Sequence, residues 1–321
     1  TMINMDSEDE GVATVSCAGG LRVQFTKEIQ RTTVQGSLLT LKVEGLLGGH
    51  SGQDIDKERQ NADLLMARMI QRLLKETKGQ LVSFNGGTKD NAIPRECEAS
   101  LIYESDEEAA KAEELACELA ETYAEELTPA EPDFSCEISC ETNRTAEAIP
   151  QDAAKEFICA MRLAPNGIQK RNIKMDGFVV VSLNLGVVRT EEDRIVMIFS
   201  PRSSVASLQE DTKERLNTLA ETFGFTVSHS SEYPGWSFKE DSPVREICKE
   251  SYKELFGEDL KIEAIHAGLE CGLFSDAIKG LDAIAIGPTI ANCHTPDEYL
   301  TLDSFERFYE FLKDILSRLA K

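Results

Sequence analysis

Apolar positions along this chain follow two different periods. The stretch VATVSC at 12–17 alternates apolar and polar residues, which predicts a short strand closed by Ala18-Gly19-Gly20. Residues 21–47 predict two or three strands, the last marked by Leu39, Leu41 and Val43, and the loop Gly48-Gly49-His50-Ser51-Gly52 follows. Over 56–75, Leu64, Leu65, Ala67, Met69 and Leu73 recur with a helical spacing. Strands are predicted near 79–84 and 97–103. The Glu- and Ala-rich stretch 106–126, with Leu115, Leu119 and Tyr123 on one face, predicts a helix with an acidic outer side. A strand at 133–140 and a helix at 150–163 come next. The nearly all-apolar run 178–188 predicts a buried strand, 194–200 its partner, and 204–223 a helix. This rhythm occurs about twice, and predicts an α+β sheet layered with helices; two similar halves are compatible with it, and period matching is too weak to establish a sequence repeat.

Tyr233-Pro234-Gly235-Trp236 punctuates the chain. Beyond it a helix (243–256), a strand (260–266), a short helix (272–279), a strand (281–286) and a long helix (302–319) alternate as in an α/β domain. That segment is too short to be a whole one. Its remaining strands come from 12–17 or from an N-terminal piece outside this chain.

Composition narrows the function classes. A length of 321 residues allows one large domain or two ordinary ones, and 41% hydrophobic residues exclude wholesale disorder. Lys+Arg number 34 and Asp+Glu 57, a formal charge of −23. Such a surface repels phosphate backbones and anionic membranes, so neither nucleic acid nor membrane is expected as a partner. No apolar run nears the roughly 18 residues of a membrane span, and no secretory h-region opens the chain. Nine scattered cysteines are an odd number and no disulfide framework, which fits a reducing cytoplasm. Cys136 and Cys140 lack a second pair at zinc-site spacing, so buried thiols are the plainer reading. The chain opens on Thr1 and reaches the acidic cluster Asp6-Ser7-Glu8-Asp9-Glu10 at once, which suggests a fragment or a processed chain.

Four histidines are present: His50, His229, His266 and His294. His229 reads as a surface residue. His294, in Cys293-His294-Thr295-Pro296-Asp297-Glu298, lies beyond a strand's carboxyl end, where open α/β sheets place ligands. It reads either as a metal ligand or as part of a helix entry with Thr295 as cap and Pro296 at the first turn. Asp6, next to a strand, is a metal ligand or a solvated acid. His50 sits among glycines, where backbone can approach a ligand closely, or in a plain hairpin. Phe84-Asn85-Gly86-Gly87-Thr88-Lys89-Asp90-Asn91 is a polar loop or a turn. Arg202, in Ser200-Pro201-Arg202-Ser203-Ser204, suits a two-point grip on a carboxylate or is a surface arginine at a helix start.

Together these loops are more specific than any one of them. The ordered set GGHSG, NGGTKDNAIP, SPRSS, AIHAGLECG and GPTI-x-x-x-HTPDE resembles the aminoacyl-histidine dipeptidases, cytosolic Xaa-His dipeptidases of the two-metal aminoacylase/carboxypeptidase superfamily. The resemblance runs from Asn4 to the last helix. It implies an α/β catalytic domain, partial in this chain, interrupted by an α+β lid or dimerisation domain of antiparallel sheet layered with helices. The catalytic part would be 1–19 and 237–321 and the lid 20–236. It further implies two zinc ions, with cobalt or manganese as alternatives, Asp6 and His294 as ligands of different metals, and His50 as the lid histidine that steadies the oxyanion, often in the partner subunit's site. Asn91 and Arg202 would hold the substrate's terminal carboxylate, and the stretch from His266 to Gly272 with Glu270 would line the pocket. Implied partners are dipeptides and a second copy through the lid. The family's His-x-Asp pair, bridging aspartate and Glu-Glu pair precede the segment matching Asp6 and are absent here, so the expectation is an inactive C-terminal portion. Two rivals stand beside it: a two-metal exopeptidase or aminoacylase of other specificity, and a non-catalytic acidic dimerisation or regulatory module.

Overall fold

The computed structural model describes residues 1–173, 177–293 and 296–320. The chain begins with strands β1 (Met2–Asn4), β2 (Val12–Cys17), β3 (Gly19–Glu28), β4 (Thr32–Glu44) and β5 (Gly49–His50). Helix α1 (Ala62–Glu76) follows a 3-10 turn at Ile55–Lys57. Its start is set by Asn61, whose side chain accepts the Asp63 and Leu64 N–H groups. Next come β6 (Gln80–Gly86), β7 (Ala92–Ile93), β8 (Cys97–Tyr103), α2 (Asp106–Leu127), β9 (Ser135–Ala148) and α3 (Gln151–Leu163). Strands β10 (Gly167–Asn172), β11 (Phe178–Thr190) and β12 (Arg194–Ser203), helix α4 (Ala206–Thr222) and β13 (Thr226–Tyr233) complete the middle of the chain. The remainder is α5 (Pro243–Phe256), β14 (Lys261–Ile265), α6 (Glu270–Ala277), β15 (Ala283–Ile286), β16 (Ile290–Ala291), β17 (Tyr299–Leu300) and α7 (Leu302–Leu319). Ser242 caps α5, Pro243 opens it, and Gly257 closes it at φ 75°, a left-handed position that glycine adopts without strain.

Two main sheets organise these elements. Nine strands form one sheet in the order β13-β3-β12-β11-β6-β8-β4-β9, with β10 paired to β11. One continuous apolar cluster joins it to its helices, with Phe25, Leu41, Met66, Phe84, Phe157 and Phe199 among the buried side chains. The other sheet has the order β1-β15-β2-β14. Here β1 runs parallel to β15, β15 antiparallel to β2, and β2 parallel to β14. Its core packs Val15, Ile284 and Ile286 against Phe308 and Phe311 of α7. The 12–17 strand therefore does supply the tail segment with sheet partners, and β1, too short to read from periodicity, adds another.

The structure alters several local expectations. Ala18-Gly19-Gly20 is no turn: Gly19 begins β3, and the chain passes directly from one sheet to the other. A Cβ on Gly19 would overlap the Gly235 nitrogen and stand 2.6 Å from the Tyr233 carbonyl oxygen, so outgoing and returning crossings touch backbone to backbone. The 133–140 strand runs on to Ala148, and β10 lacks the alternation that would have revealed it. No helix starts at Pro296; residues 296–297 are a turn and α7 begins at Leu302, and the cap expected at Thr295 lies outside the described residues.

Candidate functional site

A cavity of about 740 Å³ lies between the edge strand β14 and the nine-stranded sheet, bordered by Gly52, Gln53, Phe178, Val179 and His266. Gly52, on its border, is closely hemmed in. A Cβ there would overlap the His266 carbonyl oxygen and come to 3.1 Å from His50 Cε1 and 3.3 Å from Arg202 Nε. The glycine-rich loop thus brings together three of the residues singled out from the sequence, His50, Arg202 and His266.

His50 is held by its own loop. Its Nδ1 accepts the Gln53 N–H at 3.0 Å and the Gly52 N–H at 3.3 Å, while its own N–H donates to Asp54 Oδ2 at 2.8 Å. An Nδ1 that accepts leaves the ring proton on Nε2, available for donation. Burial, and then the Arg202 charge, lower the imidazole pKa and keep it neutral.

Arg202 ends β12, 7% exposed. Its Nη1 donates to Tyr233 Oη at 2.9 Å, and its buried Nε has no hydrogen-bond partner among the described residues. A buried guanidinium with an unspent donor is costly unless an anion completes it. His266 is buried too, with Nε2 2.7 Å from Ser182 Oγ and Nδ1 without a hydrogen-bond partner among the described residues. Burial foremost, and Arg202 second, bring its pKa down to about 3. Ser182 and Tyr233 were missed in the sequence. The signal for Ser182 was a polar residue inside a nearly continuous apolar strand; Tyr233 gave none.

Asn91 is exposed, but its carbonyl accepts the Ser51 N–H at 2.9 Å, and β5 pairs with β7 so that His50 faces Ala92. It therefore flanks the His50 loop. Glu270 does not share a wall with His266. It is exposed at the start of α6, and its Oε2 accepts from Asn4 Nδ2 at 3.3 Å.

Asn4 leads to Asp6, which is exposed just past the carboxyl end of β1. Because β1 and β15 are parallel, the loops leaving both emerge from one sheet edge. They run side by side: the Ile290 N–H donates to the Glu8 carbonyl at 2.9 Å, and Cys293 hydrogen-bonds Glu8. His294 lies outside the described residues. The antiparallel step between β15 and β2 puts Cys17 and His266 at the opposite edge from Asp6, so His50, Asn91, Arg202 and His266 form one group, while Glu270 lies between the edges, bonded to Asn4 and next to Leu269, whose carbonyl accepts from Cys17 Sγ. Among the described residues no group of three or more His, Cys, Asp or Glu could hold a metal ion. They do not by themselves fit a closed zinc site. Cys136 and Cys140 pack against the core, with burial raising the Cys136 thiol to about 11. His229 is exposed and pairs with Asn217 Oδ1 at 3.0 Å. No helix among the described residues is long and apolar enough to cross a membrane.

The chain is 33% identical to the cytosol non-specific dipeptidase of Escherichia coli (strain K12) over 99% of its own length and 66% of that protein's. It superposes on an aminoacylhistidine dipeptidase from Vibrio alginolyticus with a TM-score of 0.93 at 33% identity, covering 98% of this chain and 64% of the other. It thus spans about two thirds of these relatives. Alignment over nearly the whole of this chain lends no support to the expectation that it is inactive. Residues 41–132 match the peptidase dimerisation domain and residues 87–318 match peptidase family M20/M25/M40, and the chain belongs to that peptidase family.

Proposed function

We propose that this chain serves the hydrolysis of small dipeptides, Xaa-His among them, in the cytoplasm, with residues 20–236 as the lid over a catalytic part formed by 1–19 and 237–321. The observation that carries the reading is the buried Arg202 guanidinium, whose Nε has no hydrogen-bond partner among the described residues and which converges with the donor-bearing His50 on Gly52, at the border of the cavity. Arg202 binds the terminal carboxylate and Asn91 flanks it. His50 donates from Nε2 to the carbonyl oxygen where negative charge develops. Asp6 and His294 are proposed as ligands of the two metals, zinc by preference, with the remaining ligands outside this chain. The lid group must close on the Asp6 edge for both to face one dipeptide, and only the crossings near Cys17 and Trp236 link the two parts covalently.

The test is a substrate pair. A Xaa-His dipeptide and its C-terminal amide are offered to the purified protein with zinc, and turnover and binding are measured. Preference for the free carboxylate is expected. Equal binding of both, or binding of neither, would end this reading.

A further inference from the structure

Behind the His50 loop lies a second cavity, of about 270 Å³, which shares no lining residue with the larger one. It is bounded by the 3-10 turn Ile55–Lys57 that follows His50, by β7, and by β10 and β11. Its volume falls just below the roughly 300–1,000 Å³ of sites for drug-sized ligands, which suits one small molecule. His50, Asn91, Arg202 and His266 take no part in its walls.

The walls have two characters. Ile55, Ile93 and Ile168 are apolar, and with Val179 they form a small cluster apart from the main core. An aliphatic group set against them is favoured by the area it removes from water. The other lining groups are polar: Glu58 and Arg59 bring opposite charges from adjacent positions, and Asn184 brings a buried amide. Each has bonding capacity left. Among the described residues Arg59 makes one hydrogen bond, from Nη1 to the Gly48 carbonyl, so Nε and Nη2 remain for a carboxylate. Glu58 closes the 3-10 turn at φ 51°, and its ion pair is long, Oε1 standing 3.6 Å from Arg171 Nη2. Asn184 Nδ2 donates to the Ala92 carbonyl at 2.8 Å and to that of Asp90 at 3.4 Å. Its Oδ1 meets only Asn61 Nδ2 among the described residues, at 3.5 Å, the limit of a hydrogen bond. A buried acceptor so weakly met is completed by another N–H.

We propose that this cavity is a second binding site, for a free α-amino acid with a branched aliphatic side chain, and that its occupancy stiffens the hairpin that carries His50. Arg59 takes the carboxylate, Glu58 and Asn184 take the ammonium, and the three isoleucines take the side chain. The site rests on the cavity alone. Its role as feedback by a released amino acid rests on the dipeptide reading.

The coupling follows from register. Ile93 lies opposite Gly49 in the β5–β7 pair, and Ala92, held by Asn184, lies opposite His50. Arg59 holds the Gly48 carbonyl just before the same strand. The Asp54 N–H, next to Ile55, donates to the His50 carbonyl at 3.0 Å. A ligand that touches Arg59, Ile55, Ile93 and Asn184 therefore bears on both strands of the hairpin and on the turn behind it. Ordering them together narrows the positions open to the imidazole.

The probe is L-leucine, titrated by calorimetry into the Arg202→Met chain, which lacks the carboxylate grip of the dipeptide pocket. Saturable binding of one equivalent is expected. Isoamylamine, without the carboxylate, and 4-methylpentanoate, without the ammonium, should each bind at least about tenfold more weakly. Ile168→Trp, which fills the cavity, should abolish binding. Glu58→Asn removes the charge with a residue that tolerates positive φ, and should weaken binding about tenfold; it decides the matter if the tryptophan variant does not fold. Bound leucine should also slow amide hydrogen exchange over residues 48–55. Absence of saturable binding, analogues that bind as well as leucine, or binding unmoved by the substitutions overturns the site. Exchange unchanged by leucine overturns the coupling. Turnover decides the feedback: leucine should shift the wild-type kcat for a Xaa-His dipeptide to a plateau, whereas inhibition erased by saturating substrate overturns it. A chain that binds leucine as described but turns over no dipeptide supports the site and ends the dipeptide reading.

Discussion

Cys17 and Trp236 exchange backbone hydrogen bonds in both directions, the Cys17 N–H to the Trp236 carbonyl at 3.0 Å and the Trp236 N–H to the Cys17 carbonyl at 2.9 Å. Ser16 Oγ adds a third bond to the same Trp236 carbonyl at 2.8 Å. The two places where the chain changes sheets are thereby tied into one narrow joint. Gly19→Ala should break it, because the added methyl meets backbone that has nowhere to retreat. The expected cost is about 1–3 kcal/mol of stability, read as a lower urea midpoint. An unchanged midpoint would show that the joint yields without cost.

Arg202→Met keeps the bulk of the side chain and removes the buried charge. On the dipeptide reading, kcat/KM for a free dipeptide should fall on the order of a hundredfold, mostly through KM, as expected when a hydrogen-bonded buried charge contact is lost. The C-terminal amide of the same dipeptide should lose little. Equal losses on both substrates would assign Arg202 to structure, through its bond to Tyr233, rather than to recognition.

His266 sets a pH dependence of stability. Its folded pKa of about 3 lies below the value of about 6.5 for an unfolded histidine. The unfolded chain therefore takes up the proton first as pH falls. Stability is intact above about pH 6.5 and declines toward pH 3, by up to about 1.4 kcal/mol per pH unit. His266→Gln should flatten that limb in urea titrations between pH 6 and pH 4. A variant curve parallel to the wild type would exclude the histidine as its source.

Asp63 acts with the opposite sign. It is fully buried on α1, and burial pushes its pKa up to about 8 despite a hydrogen bond from Cys97 and the Arg189 charge. The folded state holds this proton more tightly than the unfolded, so its contribution is present at low pH and is lost between about pH 4 and pH 8. Asp63→Asn should therefore gain on the wild type as pH rises across that range, by a few kcal/mol at most, measured by urea denaturation at pH 5 and pH 8. A constant difference at both pH values would count against it.

Much of this was legible in the sequence because burial leaves a local imprint. The helical spacing of Leu65, Met69 and Leu73 marks the buried face of α1, and the apolar run of β11 marks a strand covered on both sides. Loop chemistry was legible too, since glycines around His50 announce close approach whatever they approach. Several things were not. Periodicity states which face is buried but not against what, so nothing local pairs β3 with β13 about two hundred residues later, or sets β6 beside β11. The twice-repeated rhythm hinted at two halves, but that strands β13-β3-β12-β11 mirror β9-β4-β8-β6 was decided only in three dimensions, because the residues 32–148 are threaded between β3 and α3. Tertiary structure alone also divided the candidates. The antiparallel step beside β2 sends Asp6 to one sheet edge and His266 to the other, and folding of the Gly52 loop, not spacing, brings Arg202 to His50. Sequence determines the faces each segment must hide; only packing decides which distant segment hides them, and hence which polar groups are left to do chemistry.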